Sequence, residues 1–187
     1  MRIRHVLPLL GMFLFIACKN ESPKGANGVV YKTPVQYNDY IVSRQTRIMQ
    51  NIMKFAEVAQ TDLDSADHLL DKYVVETGKM ITEIKGMPPY KGDSSLREAA
   101  TGIFGFYREI FDKDYRDILH LRSEQDGTST DIETRINDIV KKIEEEEKGY
   151  DDRFQKAQQN FARKNNMKLA ENKMQKEFDE KMGGEPK

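Results

Sequence analysis

The chain has 187 residues, of which 38 % are hydrophobic and 33 % charged, and its formal net charge at pH 7 is −1. Because neither sign of charge dominates, the chain has no basic footprint and we expect no nucleic-acid partner. A single cysteine, Cys18, excludes an internal disulfide framework. The length predicts one domain, and the composition suits helices with wet outer faces better than a sheet.

Residues 1–17 have the three-part pattern of a secretory signal. Arg2 and Arg4 make the start basic, residues 6–16 are mostly apolar, and Ala17 is a small residue at the expected cleavage site. The apolar run has about half of the roughly 20 residues that a membrane span requires. We therefore predict that residues 1–17 are a signal peptide.

The segment from Leu14 to Cys18, Leu-Phe-Ile-Ala-Cys, resembles a bacterial lipobox, although Phe15 stands where leucine is preferred. The resemblance implies a diacylglycerol on the Cys18 thiol and usually a further acyl chain, such as palmitate, on the new N-terminus. Two or three acyl chains anchor a protein stably. Lys19 follows the cysteine, which favours the outer membrane and leaves the side that the protein faces open. The alternative is a plain secretory signal with an incidental cysteine.

Residues 18–34 are predicted to be a flexible tether behind the lipidated cysteine. The segment carries Pro23, Gly25, Gly28 and Pro34 and shows no apolar periodicity. A flexible chain of this length would span roughly 20–25 Å, enough to hold a folded body clear of the lipid headgroups.

Residues 35–164 carry apolar residues at helical spacing, which predicts four amphipathic helices. The first two apolar stripes are Tyr37, Ile41, Ile48, Ile52, Phe55 and Ala59, and Leu63, Ala66, Leu70, Tyr73, Thr77, Met80 and Ile84. The second helix should end at Gly86, because glycine tolerates a left-handed turn and the following Pro88 and Pro89 cannot continue a helix.

The third helix is predicted to begin at Ser95, where Glu98 three residues later completes a capping box. Its stripe is Leu96, Ala100, Ile103, Tyr107, Ile110, Ile118 and Leu121, widened by Phe104, Phe106 and Phe111. The stripe of the fourth helix is Ile132, Ile136, Ile139, Ile143, Tyr150, Phe154, Ala157 and Phe161.

Short connections between these helices favour antiparallel neighbours. We predict an all-α fold: an up-down-up-down antiparallel four-helix bundle over residues 35–164, with a coiled-coil-like core and an extended C-terminal helix. Residues 165–187 are expected to be a helical or frayed tail. A fourth helix that continued to Met182 would be roughly 80 Å long, with Gly149 as one candidate break and Asn165 and Asn166 as another.

The sequence shows no catalytic constellation. His68 and His120 lie beside the apolar stripes and do not supply the ligand set of a di-iron bundle. There is no Gly-x-Ser-x-Gly turn for a nucleophile and no glycine-rich loop for phosphate. We expect a protein that is not an enzyme and uses no metal and no cofactor.

Three segments carry a resemblance to a family: the loop from Gly86 to Asp93 (GMPPYKGD), the stretch from Tyr37 to Ile41 (YNDYI) and the stretch from Arg153 to Gln158 (RFQKAQ). Together they are similar to an uncharacterised family of small bacterial surface lipoproteins, over roughly residues 37–167. The resemblance implies a lipid-anchored helical domain of the cell envelope and supplies no catalytic residues.

Two functions remain open. The favoured one is a lipid-anchored interaction module with an envelope or surface protein as partner, and its candidate partner-binding residues are Tyr90, Lys91, Met174 and Phe178. The alternative is a carrier or sensor of a small apolar ligand, held by Phe104, Tyr107, Phe111, Phe154 and Phe161. Aromatic residues at helical spacing more often form a core than a pocket. The oligomeric state is left open.

Overall fold

The fold is all-helical, as the apolar stripes predict. The computed structural model describes residues 24–123, 129–170 and 176. Its helices are α1 (Pro34–Val58), α2 (Leu63–Lys85), α3 (Ser95–Glu109), α4 (Tyr115–Ser123) and α5 (Ser129–Lys164). The predicted signal peptide and Cys18 lie outside the described residues.

Side-chain caps set the start of each of the first three helices. Thr33 accepts a hydrogen bond from the Gln36 backbone N–H at 3.1 Å, and Pro34 takes the first helical position. Asp62 caps α2 through the Ser65 N–H at 2.9 Å. The capping box predicted for Ser95 does not form.

At the start of α3 the N-cap residue, Ser94, makes no side-chain capping bond, and Asp93, two residues before Ser95, supplies the acceptor. The Asp93 carboxylate accepts the Ser95 backbone N–H at 2.9 Å, and Glu98 accepts the Ser94 hydroxyl rather than reaching back to a backbone N–H. The sequence therefore predicted the correct start of α3 but the wrong capping residue. Asp93, Ser94 and Ser95 all have side chains that can bond the same backbone N–H groups, and the sequence does not show which of them does so.

Most of the predicted stripes form one hydrophobic core. The stripe of α1 is buried throughout, and that of α2 is buried except at Leu63. In α5 the second half is buried at Phe154 and Phe161, whereas Ile132 and Ile136 near its start are only half-buried. The first third of α5 therefore contributes less to the core than its periodicity indicates.

A π-helical segment, Ile110–Asp114, joins α3 to α4 and interrupts the single third helix that the sequence predicts. The extra residue in a π turn rotates the helix that follows by about 100°. Tyr115, the first residue of α4, thereby stacks on Phe55 of α1 with ring centroids 4.6 Å apart and planes at 6°. Simple 3.6-residue periodicity does not register such an insertion.

α5 ends at Lys164, so it is not continuous to Met182. Asn166 has φ of 50°, the left-handed conformation that ends many helices. The Met167 N–H then bonds the Ala162 carbonyl at 2.9 Å, and Met167 packs against the core. This is a Schellman ending, so the candidate break at Asn165 and Asn166 is where the helix stops.

Candidate functional site

Four chain segments meet at one end of the helices, and aromatic side chains join them. Tyr37 at the start of α1 stacks on Phe161 near the end of α5, with ring centroids 5.3 Å apart. Tyr90, from the loop between α2 and α3, contacts both rings at 5.3 Å. Tyr31 packs edge-on against Tyr37 at 5.1 Å. We call this cluster (Tyr31, Tyr37, Tyr90, Phe161) and the segments that carry it the aromatic end.

Burial changes the chemistry of these hydroxyls. Burial raises the pKa of Tyr37 to about 12, and its hydroxyl has no hydrogen-bond partner within the described residues. Burial likewise raises the pKa of Tyr31 to about 12, although a hydrogen bond from Asn27 opposes the shift. Both tyrosines therefore stay neutral at physiological pH and serve as packing groups.

The prediction of a flexible tether does not hold for residues 24–33, because these residues dock on the helices. Tyr31 is only 3 % exposed. The Asn27 side-chain amide donates to the Tyr31 hydroxyl at 2.6 Å, and the Asn27 backbone N–H donates to the Gly86 carbonyl at 3.2 Å. Residues 18–23, which complete the predicted tether, lie outside the described residues.

Two glycines allow the docked segment to cross the end of α2 at backbone distance. A Cβ on Gly25 would lie 2.6 Å from the Gly86 carbonyl oxygen, and a Cβ on Gly86 would lie 2.8 Å from the Asn27 nitrogen. The same glycines had indicated a linker in the sequence. Glycine marks close backbone approach as well as flexibility, and here it marks the approach.

The loop from Gly86 to Ser94 is closed by a tight turn. Tyr90 and Asp93 exchange two backbone hydrogen bonds of 3.0 Å, while Lys91 and Gly92 have φ of 50° and 84°. These are the angles of a type I′ turn. The turn directs Tyr90 into the aromatic end, where it is half-buried, and leaves Lys91 exposed.

The four predicted partner-binding residues therefore differ in position. Tyr90 packs on Tyr37 and Phe161, and its ring covers the end of the helices. Lys91 is exposed, with its Nζ 5.7 Å from the Tyr90 ring centroid. Met174 and Phe178 lie outside the described residues.

Asp93 ties the start of α3 to the end of α5. Its carboxylate accepts the Lys164 Nζ at 2.6 Å and the Ser95 N–H at 2.9 Å. The bond from Lys164, together with those from Ser95, lowers the pKa of Asp93 to about 2. This carboxylate remains charged at any pH at which the protein is expected to work.

A recess of about 580 Å³ lies over this ion pair and is open to solvent. It is lined by Lys91, Gly92, Asp93, Ser94, Ser95, Glu98 and Lys164. Its polar groups bond one another: Lys164 donates to Asp93, and Ser94 donates to Glu98. Within residues 24–123 and 129–170, no group of three or more His, Cys, Asp or Glu could hold a metal ion.

The five aromatic residues of the predicted apolar-ligand site are all buried, and they are distributed along the core. Phe161 lies at the aromatic end, whereas Phe111 contacts Tyr73 at 5.5 Å and Tyr115 at 6.0 Å further along the helices. Phe104 and Phe154 are also buried. These rings pack against other side chains of the core.

The remaining member, Tyr107, is held by a polar contact inside the core. Its hydroxyl donates to the Glu147 carboxylate of α5 at 2.7 Å. Burial, with the nearby Glu147 charge, raises the pKa of Tyr107 well above its usual range. Tyr107 thus fixes the register of α5 against α3.

No protein-family model, no curated protein and no solved structure matches the chain. None of the helices that the structure describes combines the length and the apolar character that a membrane crossing requires. Function therefore has to be inferred from the residues of this chain.

Replacing Gly25 by alanine should release the docked segment, because the new Cβ would lie 2.6 Å from the Gly86 oxygen. We expect faster hydrogen exchange at the amides of Asn27 and Val29. Gly105 in α3 is the control, since a Cβ there meets nothing within 4 Å. Gly105→Ala should raise the free energy of unfolding by about 0.5–1 kcal/mol. Unchanged exchange in Gly25→Ala would contradict the docking.

Replacing Asp93 by asparagine should lower the free energy of unfolding by up to about 1 kcal/mol at neutral pH, since the partly exposed ion pair with Lys164 is lost. The asparagine amide oxygen can still accept the Ser95 N–H, so the capping bond is kept. The depressed pKa means that this contribution is complete above the ordinary value of 3.8 and is lost as the pH falls through about 2. Denaturant unfolding should therefore show the difference between wild type and Asp93→Asn shrinking over that interval. Asp138→Asn, at an exposed position in α5, should show no such trend.

Proposed function

We propose that the protein is a non-enzymatic, lipid-anchored protein of the cell envelope that presents its helical body as an interaction module. The observation that carries the proposal is the position of Cys18, the one cysteine of the chain, directly behind a short apolar segment. Its lipobox-like context supports acylation, and Lys19 favours the outer membrane. Its partner would be an envelope or surface protein.

The helices are proposed to follow an up-down-up-down order. Cross-helix pairs support this order, because in antiparallel neighbours the residue numbers of successive pairs rise along one element and fall along the other. Between α1 and α2 the pairs are Arg44–Glu83 and Arg47–Glu76. Between α2 and the π-helical segment with α4 they are Asp67–Arg116 and Tyr73–Phe111, and along α5 they are Asp93–Lys164 and Asp114–Lys142. The start of α1 and the end of α5 then lie at the same end as the N-terminal anchor.

The packing favours interaction through the surface over ligand capture inside. The aromatic residues of the alternative are buried against neighbouring side chains, and Tyr107 is additionally bonded to Glu147. Opening the core around a ligand would break these contacts. The outer surface, in contrast, already exposes apolar side chains such as Val75 of α2, which is 57 % exposed.

The helix order can be tested by crosslinking within one chain. In a Cys18→Ser background, cysteines at positions 38 and 158 should be joined by a short bismaleimide, because Gln158 donates to Asn38 at 2.9 Å. A pair at 38 and 137 should not react, since position 137 lies about 30 Å further along α5. Efficient joining of the second pair alone would refute the order.

The anchor is tested at Cys18. Cys18→Ser should abolish metabolic labelling with palmitate and move the protein out of the detergent phase in detergent partitioning. The control is Phe15→Leu, which brings the segment closer to the preferred lipobox and should keep the label. Labelling that persists in Cys18→Ser would refute acylation at this residue. Native mass spectrometry separates the two functions, because a reproducible co-purifying apolar molecule would support the carrier instead.

A further inference from the structure

The aromatic end carries most of the large hydrophobic side chains that the described residues expose. Among the described residues, five large hydrophobic side chains are exposed, and three of them belong to its segments: Val30 at 40 %, Val35 at 48 % and Leu169 at 38 %. Val75 and Val140, the other two, lie in the middle of α2 and in α5. Val30, Val35 and Leu169 therefore concentrate where the first and last described segments leave the helices.

The same end is basic. Its exposed cations are Lys24, Lys32, Lys85, Lys91, Arg163 and Lys168. Against them stand the exposed Asp39 and three carboxylates that are already engaged, Asp93 by Lys164, Glu83 by Arg44 and Glu98 by Ser94. At the start of α2, far from this end, exposed Asp62 and Asp64 give the opposite sign.

The chain itself brings this end toward the anchor. Docking of residues 24–33 leaves only the six peptide steps between Cys18 and Lys24 as a spacer. At 3.3–3.6 Å per residue, that spacer reaches about 20 Å at most when fully extended. A tether that reached to Pro34 would have held the body much further from the bilayer.

From these observations we propose that the aromatic end lies on the membrane surface, with Val30, Val35 and Leu169 in the headgroup layer and the surrounding cations on anionic phospholipid. The inference rests on the proposed lipid anchor. Exposed apolar residues ringed by lysine are the chemistry of interfacial binding, in which apolar burial and attraction to anionic lipids act together. The acidic start of α2 then points away from the bilayer.

The absence of tryptophan from the sequence makes this contact measurable, because one introduced tryptophan is a specific reporter. The lipidated full-length protein, taken from membranes, is reconstituted into vesicles of phosphatidylcholine and phosphatidylglycerol that contain brominated lipid. Val35→Trp should emit at shorter wavelength and be quenched. Val75→Trp, at a position on the side of α2 that is 57 % exposed, should be neither shifted nor quenched.

Charge reversal tests the basic part of the inference. Lys24→Glu with Lys32→Glu should abolish the quenching of Val35→Trp, whereas Lys72→Glu with Lys79→Glu, the same charge change on exposed positions of α2, should leave it intact. Equal quenching on phosphatidylcholine alone would overturn the role of anionic lipid.

Flotation of the vesicles separates failure of this inference from failure of the anchor. Protein that floats while Val35→Trp is unquenched overturns the membrane contact and leaves the anchor standing. Protein that does not float overturns the anchor, and the inference with it. Quenching of both tryptophans would show that the body lies on its side, which also contradicts the proposed orientation.

Discussion

The stack of Tyr37 on Phe161 is the contact on which the rest of the structure depends. It joins the first helix to the last, two elements far apart in the sequence. Tyr90 packs on Phe161, and Tyr31 packs on Tyr37. Bringing together residues so far apart in the sequence costs chain entropy that local contacts do not offset. The large buried surface of the stacked rings supplies the compensating free energy. Beside this stack, the Asp93–Lys164 ion pair orients the start of α3 relative to the end of α5 and adds little free energy of its own.

Docking of the N-terminal segment fixes the position of residues 24–33 on the helices. Gly25 and Gly86 let two backbones meet, and Asn27 and Tyr31 hold the contact. Because the segment is held, its length no longer separates the body from the anchor proposed at Cys18.

The interior and the surface divide the work. Inside, aromatic rings and the Tyr107–Glu147 hydrogen bond fill and align the core. At the surface, the charges of the polar recess beside Asp93 pair with each other and hold α3 against α5.

The sequence by itself determined the helical class and nearly all of the core, because burial follows apolar periodicity in α1 and α2. It also located the end of the last helix at Asn165 and Asn166 as a candidate break. Only the tertiary structure decided the rest. The π-helical segment is a one-residue insertion that simple helical periodicity cannot register. A glycine such as Gly25 reads the same in the sequence whether it makes a linker flexible or allows a neighbouring backbone to approach closely. Tyr90 acquires its position from Tyr37 and Phe161, and the segment that carries Tyr31 is held through Asn27 by Gly86. Contacts between residues so distant in the chain leave no local pattern to read.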